Sequence, residues 1–240
     1  MRIPRLFVPQ DLKVNTCISL AETQAHYLRN VLRCNVGQEI ILFNGQGGQY
    51  SGVIETLDRN RAAVEIGSFS LIDRESDLVI KLGMAILKRD AMDVAIQKAT
   101  ELGVSEITPL ITRFTTVAEK SLKKRKHHWL QVSRTTCEQC ERNCPPTLQE
   151  VSSVADWIQS VRAELKLVAH PGKGNHFRDI TCVPTCVALL IGPEGGLSDD
   201  EVELAGANEF ESINLGPRIL RADTAPLTLI SLVQSRWGDL

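Results

Sequence analysis

The chain has 240 residues, 43% of them hydrophobic and 23% charged, with a formal net charge of −2. That balance is the composition of a globular protein rather than a disordered one, and no apolar run approaches the ~18 residues of a membrane helix. The length suits one large domain or two modest ones.

The small total conceals an asymmetry, with +1 over residues 1–72, +3 over 73–142 and −6 over 143–240. A nucleic acid is therefore expected to lie against the first 142 residues. Seven cysteines, with an N-terminal apolar run too short for a signal peptide, read as reduced thiols in a cytoplasm.

Residues 1–72 read as mostly β. Glu39–Phe43 is a strand run closed by the hairpin dipeptide Asn44-Gly45, and Tyr50–Leu57 and Ala62–Phe69 follow as strands. Gly45-Gln46-Gly47-Gly48 joins strand to strand, which excludes a dinucleotide loop. One helix is expected from Glu22 to Leu32, with Ala25, Leu28 and Leu32 on one face and Arg29 and Arg33 adjacent on its surface. A small β-barrel with one helix fits this pattern. The polar stretch 70–77 marks a boundary, giving domains 1–72 and 73–240.

From Leu78 the pattern becomes strand–helix–strand, the signature of an α/β domain with a parallel sheet. Leu78–Leu87 is a strand. Ala91–Leu102 is a helix stopped by Gly103, with Met92, Ala95, Ile96 and Ala99 on its apolar face. Ile107–Thr112 (strand), Trp129–Glu141 (helix) and Leu165–Ala169 (strand) continue it. Lys120–His128 is the densest basic run, equally a solvated face or an RNA contact. Cys137, Cys140 and Cys144, with Cys182 or Cys186, have a spacing that zinc or an iron–sulfur cluster could use. Cys137 and Cys140 also fit an ordinary buried seam.

Two glycine-broken stretches close the chain. Val187–Ile191 is apolar without alternation, as in a strand buried on both faces, and ends at Gly192-Pro193-Glu194-Gly195-Gly196. Ser198 and Glu201 form a capping box for a helix. Leu215-Gly216-Pro217-Arg218-Ile219-Leu220-Arg221-Ala222-Asp223-Thr224-Ala225 repeats the design, with Thr224 as cap of a helix running to about Trp237. Neither carries a P-loop lysine. The final helix is apolar almost all round.

These two stretches, together with Arg5–Val8, His26–Arg33, Lys88–Val104 and Glu138–Asn143, resemble the ribosomal RNA small-subunit methyltransferase E family of the SPOUT superfamily. Asp223 replaces an expected Glu, and Gln38 an expected Asp. The resemblance implies an α/β SPOUT domain with a mostly parallel sheet and a trefoil knot, preceded by a PUA-like RNA-binding β-barrel. It implies methylation of a uridine N3 in 16S rRNA from S-adenosylmethionine, with no metal and no membrane or DNA partner. It further implies a homodimer acting on the rRNA or the small subunit.

The expected cofactor residues are Leu167, Val168, Ala169, Ile191, Gly192, Gly196, Leu215, Gly216, Ile219, Leu220 and Ala225. Uracil N3 is protonated at neutral pH, so a cation beside the ring and a proton acceptor are needed. Arg142 is the expected cation and Glu194 the expected acceptor. Arg5, Arg29, Arg33, Lys88, Lys98 and Arg221 are the expected RNA contacts. The alternatives are a non-catalytic RNA-binding protein of the same fold, or a thiol-ligated metal protein.

Overall fold

A computed structural model describes residues 3–88, 90–116, 122–171 and 174–240. Arg89, and Lys120 of the basic run, lie outside them. The chain divides into two compact units, Met1–Glu75 with Arg134–Pro145, and Ser76–Ser133 with Pro146–Leu240.

The first unit holds β1 (Arg5–Phe7), β2 (Cys17–Leu20), α1 (Glu22–His26), β3 (Glu39–Phe43), β4 (Gln49–Leu57) and β5 (Ala62–Ser70). They form one sheet in the order β1-β3-β4-β5-β2, parallel only between β1 and β3. Alternate residues Ile40, Leu42, Ile54, Val64 and Ile66 turn inward, where Ala25 and Leu28 cover them. The expected helix over 22–32 is interrupted. Five α-helical residues give way to a wider turn over Tyr27–Val31, and the Leu32 N–H reaches back five residues to the Tyr27 carbonyl at 3.0 Å. Arg33 lies beyond it with φ of 54°, so it does not share a helical face with Arg29.

Residues 134–145 return to this unit as the last turns of a long helix, and two charged side chains hold them there. Arg5 is 7% exposed. Its guanidinium donates to Asn143 Oδ1 and Gln49 Oε1, both at 2.6 Å, and to the Glu141 carbonyl at 3.4 Å. Cations favour such a helix C-terminus because its last carbonyls lack partners. Glu75 does the complementary work. One carboxylate oxygen accepts from Arg142 Nε at 2.8 Å and Nη2 at 2.6 Å, and the other from the Asn143 and Cys144 N–H groups at 3.1 and 3.0 Å.

The second unit contains β6 (Val79–Ala85), α2 (Asp90–Glu101), β7 (Glu106–Ile111), most of α3 (Leu122–Cys140), β8 (Thr147–Leu148) and β9 (Ser152–Ser153). It continues with α4 (Val154–Ser160), β10 (Leu165–Ala169), β11 (Asn175–His176), β12 (Cys186–Ile191), α5 (Asp199–Ala207), β13 (Phe210–Asn214) and α6 (Thr224–Trp237). Every strand pair is parallel, in the order β11-β13-β10-β12-β6-β7-β8, with β9 also on β7.

The central strand β12 is enclosed on both sides. Val187, Leu189 and Ile191 enter a core shared with α2 and α6, while Ala188 and Leu190 enter another with Trp157 and Ile158 of α4. The capping box of α5 forms as expected, with Ser198 Oγ accepting the Glu201 N–H and Glu201 accepting the Ser198 N–H. At α6 the cap position falls on Asp223, not Thr224, and no side chain caps it. Helix α3 starts seven residues before the expected Trp129, taking in Leu122–His128 of the basic run.

Glu75→Ala would strand a guanidinium that is 6% exposed. The expected loss is about 3–5 kcal/mol, read as a lower urea midpoint. Replacing Glu75 and Arg142 together by Gln and Met should cost less than the single change.

Candidate active site

Parallel sheets collect ligands at the carboxyl ends of their strands, and here those ends surround a cleft of about 590 Å³ within the second unit. Leu87 and Ala91 contribute from beyond β6, Ala169, His170 and Pro171 from the end of β10, and Ile191 to Glu194 with Gly196 and Leu197 from beyond β12. The segment from Ile219 to Asp223, with Ala225, completes it. An adjoining cavity of about 50 Å³ adds Leu215, Gly216 and Arg218.

Two backbone reversals make the cleft. After β12 the Gly196 N–H bonds the Pro193 carbonyl at 2.9 Å, and Gly196 takes φ of 75°. Gly216 takes φ of 108°, with its N–H on Asn214 Oδ1 at 3.0 Å. A side chain at either position would be strained.

The lining is apolar and peptide in character, with few charged groups. Glu194 Oε1 accepts the Lys88 backbone N–H at 3.1 Å, tying the β12 reversal to the segment after β6. His170 Nδ1 lies 3.0 Å from the Pro171 carbonyl. Arg221 and Asp223 bring opposite charges to the second reversal. Much of the acidity after β12 is structural: Glu201 also accepts the Arg113 N–H at 2.8 Å, and Asp200 lies 3.8 Å from the Arg113 guanidinium.

Of the expected cofactor residues, Ala169, Ile191, Gly192, Gly196, Ile219, Leu220 and Ala225 line the cleft, and Leu215 and Gly216 the adjoining cavity. Leu167 and Val168 do not. Both are fully buried, each facing a different core, because alternate residues of β10 point to opposite faces of the sheet. Leu87, Ala91, His170 and Pro171 went unnoticed in the sequence, although a position just past a parallel strand is a signal that applies to all four.

The charged residues divide in the same way. Glu194 and Arg221 line the cleft. Lys88 is exposed beside it in sequence, and Lys98 is ion-paired with Glu101 at 2.8 Å on α2. Arg29 and Arg33, both exposed, line one depression of the first unit. Arg5 is buried on the α3 terminus, its guanidinium held by Asn143, Gln49 and the Glu141 carbonyl. Arg142, expected as the cation beside the base, is paired with Glu75 and is nearly closed off from solvent.

The cysteine spacing has a packing explanation. The Cys137 thiol is pushed up by its hydrogen bond to Cys140 and by burial, and the Cys144 thiol is raised by burial and Glu75. Cys182 and Cys186 belong to the second unit. Among the described residues no group of three or more His, Cys, Asp or Glu side chains is placed to hold a metal ion, and no helix is long and apolar enough to cross a membrane.

Residues 74–234 match the RNA methyltransferase domain family and residues 20–67 the RNA methyltransferase PUA domain. The ribosomal RNA small subunit methyltransferase E of Buchnera aphidicola from Schizaphis graminum is 34% identical, over 100% of this chain and 98% of its own. The chain belongs to the small subunit methyltransferase E family. Its Rickettsia conorii relative of that name is 31% identical over 98% of this chain and 96% of its own. Among solved structures, a Legionella pneumophila methyltransferase in complex with the bound cofactor SAM superposes with a TM-score of 0.97 at 36% identity, covering both chains fully. A Neisseria gonorrhoeae family member bound to S-adenosyl methionine gives 0.95 at 32%, covering 99% of each chain.

Thiol alkylation of the folded protein at pH 8 should modify exposed Cys17 and Cys182 first, and buried Cys34 and Cys137 last. Mass spectrometry of the digested protein checks the order; early labelling of Cys137 would contradict the packing described.

Proposed function

We propose that the protein transfers the methyl group of S-adenosylmethionine to N3 of a uridine in 16S rRNA. What supports this most directly is the cleft: apolar walls, two glycine reversals with exposed peptide groups, and little charge, in a chain of this family. Such a lining fits an adenine and a thioether-like chain better than a polyphosphate, which would call for cations. Peptide groups around Gly192, Gly196, Ile219 and Leu220 would hold the adenosine. Asp223 would balance the cationic end. The cofactor supplies an electrophilic methyl on a sulfonium.

The remaining chemistry falls to side chains. Uracil N3 must lose its proton, and the resulting anion needs a cation near O2 or O4. We assign the proton to Glu194, whose backbone bond to Lys88 fixes one oxygen. The cation is Arg221, in place of Arg142, which acts through the packing around Glu75. Arg29, Arg33 and Lys88 would meet RNA phosphates, together with Lys123, Lys124 and Arg125 on α3. Each phosphate neutralised makes binding more sensitive to salt.

A two-fold homodimer is part of the same reading. Leu232 of α6 is 38% exposed on a helix whose other apolar residues are largely buried, a face suited to a second copy. Sedimentation equilibrium at micromolar concentration should report twice the chain mass.

The deciding experiment is tritiated-methyl transfer to small ribosomal subunits followed by nucleoside analysis. The label should appear in 3-methyluridine; another methylated nucleoside would overturn the assignment. Glu194→Gln keeps the acceptor for the Lys88 N–H but not the base, so kcat should fall by about 10²-fold or more. Cofactor affinity by calorimetry should change little. Arg221→Ala should lower kcat/KM by roughly 10- to 100-fold, the loss of one charge-assisted hydrogen bond.

A further inference from the structure

The first unit contains a cavity of about 490 Å³ for which methyl transfer has no use. Ile3, Pro4 and Leu32 give it apolar walls, Tyr27, Gln38, Thr135, Glu138 and Gln139 give it a polar side, and Arg5 lines it with its guanidinium engaged by Gln49 and Asn143. The polar groups are already set in direction. Glu138 Oε1 accepts the Phe7 N–H at 3.0 Å, and its buried other oxygen has no hydrogen-bond partner. Burial and the neighbouring Glu138 carboxylate push Tyr27 up to about 12. The phenol therefore keeps its proton beside the carboxylate, and its own oxygen lone pairs are left as an acceptor. Gln38 accepts the Asn35 N–H at 3.1 Å through Oε1, which leaves its NH₂ as a donor.

An acceptor and a donor beside an aromatic ring, between apolar walls, complement a flat neutral heterocycle with adjacent N–H and acceptor atoms. The Glu138 carboxylate and the Arg5 guanidinium bring opposite charges to the lining, so the cavity favours neither an anion nor a cation. The source of the heterocycle is indicated by the neighbouring surface. Leu32 and Gln38 border the cavity, and the residues between them, Arg33 to Val36, line a depression of about 590 Å³ together with Arg29. One short segment thus borders a base-like cavity on one side and, through Arg33, the depression it shares with Arg29 on the other. Arg33 sits in it at φ of 54°, the left-handed conformation that commonly ends a helical segment.

We propose that this cavity receives a single unstacked base of the RNA, while Arg29 and Arg33 hold the adjoining phosphates. Single-stranded RNA is commonly bound by such stacking and edge contacts. The proposal rests on the RNA-binding reading of the first unit but not on catalysis.

Fluorescence anisotropy with single-stranded octamers of abasic ribose phosphates tests it, because charge stays constant while one central position carries uracil, guanine, adenine, cytosine or no base. At least one base should tighten binding roughly tenfold over the all-abasic octamer. Tyr27→Ala should remove that gain, and Tyr27→Phe should keep the stacking but blur the ranking of bases. Glu138→Gln should reorder the ranking, since an amide NH₂ facing Tyr27 would turn the phenol proton toward the cavity. Equal binding of all octamers would overturn the proposal, as would an unchanged ranking in both Tyr27→Phe and Glu138→Gln. Free nucleosides binding as tightly as the same base in RNA would overturn the RNA assignment. Calorimetry with S-adenosylmethionine on the same preparation separates the two readings: no heat would sink the methyltransferase function and leave the base site standing.

Discussion

Burial of β12 on both faces is the constraint on which the second unit depends. Val187, Leu189 and Ile191 cannot reach one core without Ala188 and Leu190 reaching the other, so the strand has to lie in the middle of a covered sheet. Each of its large side chains contributes about 1.5–3 kcal/mol by leaving water. With β10 and β6 parallel on either side, all three strands deliver their carboxyl ends to one edge. The chain must turn there without hydrophobic residues to guide it, and it does so through glycines whose peptide groups remain unpaired by the sheet. The ligand cleft is a by-product of that termination. Its shape is carried by backbone, and its few charged side chains are free to do chemistry.

The first unit depends on charge where the second depends on apolar layers. Arg5 and Arg142 are both enclosed, one on the carbonyl end of α3 and the other on Glu75. Each of these cations has a defined structural partner. Arg29, within the wide helical turn, and Arg33, just after it, both face solvent and line one depression. Positive charge is thus divided between an inner pair that fixes a chain segment and arginines that remain at the surface. Net charge along the sequence does not distinguish them.

That sorting explains what could be read from the sequence. Strands β3 and β10 stand where local apolar pattern places them, and so does the capping box at Ser198, because each is decided within a few residues. The reversals at Gly192–Gly196 and Gly216 were legible for the same reason. The extra turns of α3 were not, since Lys123–His128 lacks an apolar period. The wide turn at Tyr27 was hidden because Leu28 and Leu32 keep a helical spacing through it. The partners of Arg5 and Arg142, Asn143 and Glu75, are 138 and 67 positions away, and a lone sequence does not show which cation finds which distant acceptor. Leu167 and Val168 were placed on the right strand, but its pleat sends them into the cores.

The first unit is also discontinuous, completed only by Arg134–Pro145. During vectorial synthesis its five strands emerge well before the segment that Arg5 and Glu75 are shaped to grip. Until residue 145 has left the ribosome, Arg5 lacks Asn143 and the Glu141 carbonyl, and Glu75 lacks Arg142 and the Asn143 and Cys144 N–H groups. Maturation of this unit is therefore timed by the helix of the other, and a stall between residues 76 and 133 would leave an RNA-binding surface half built.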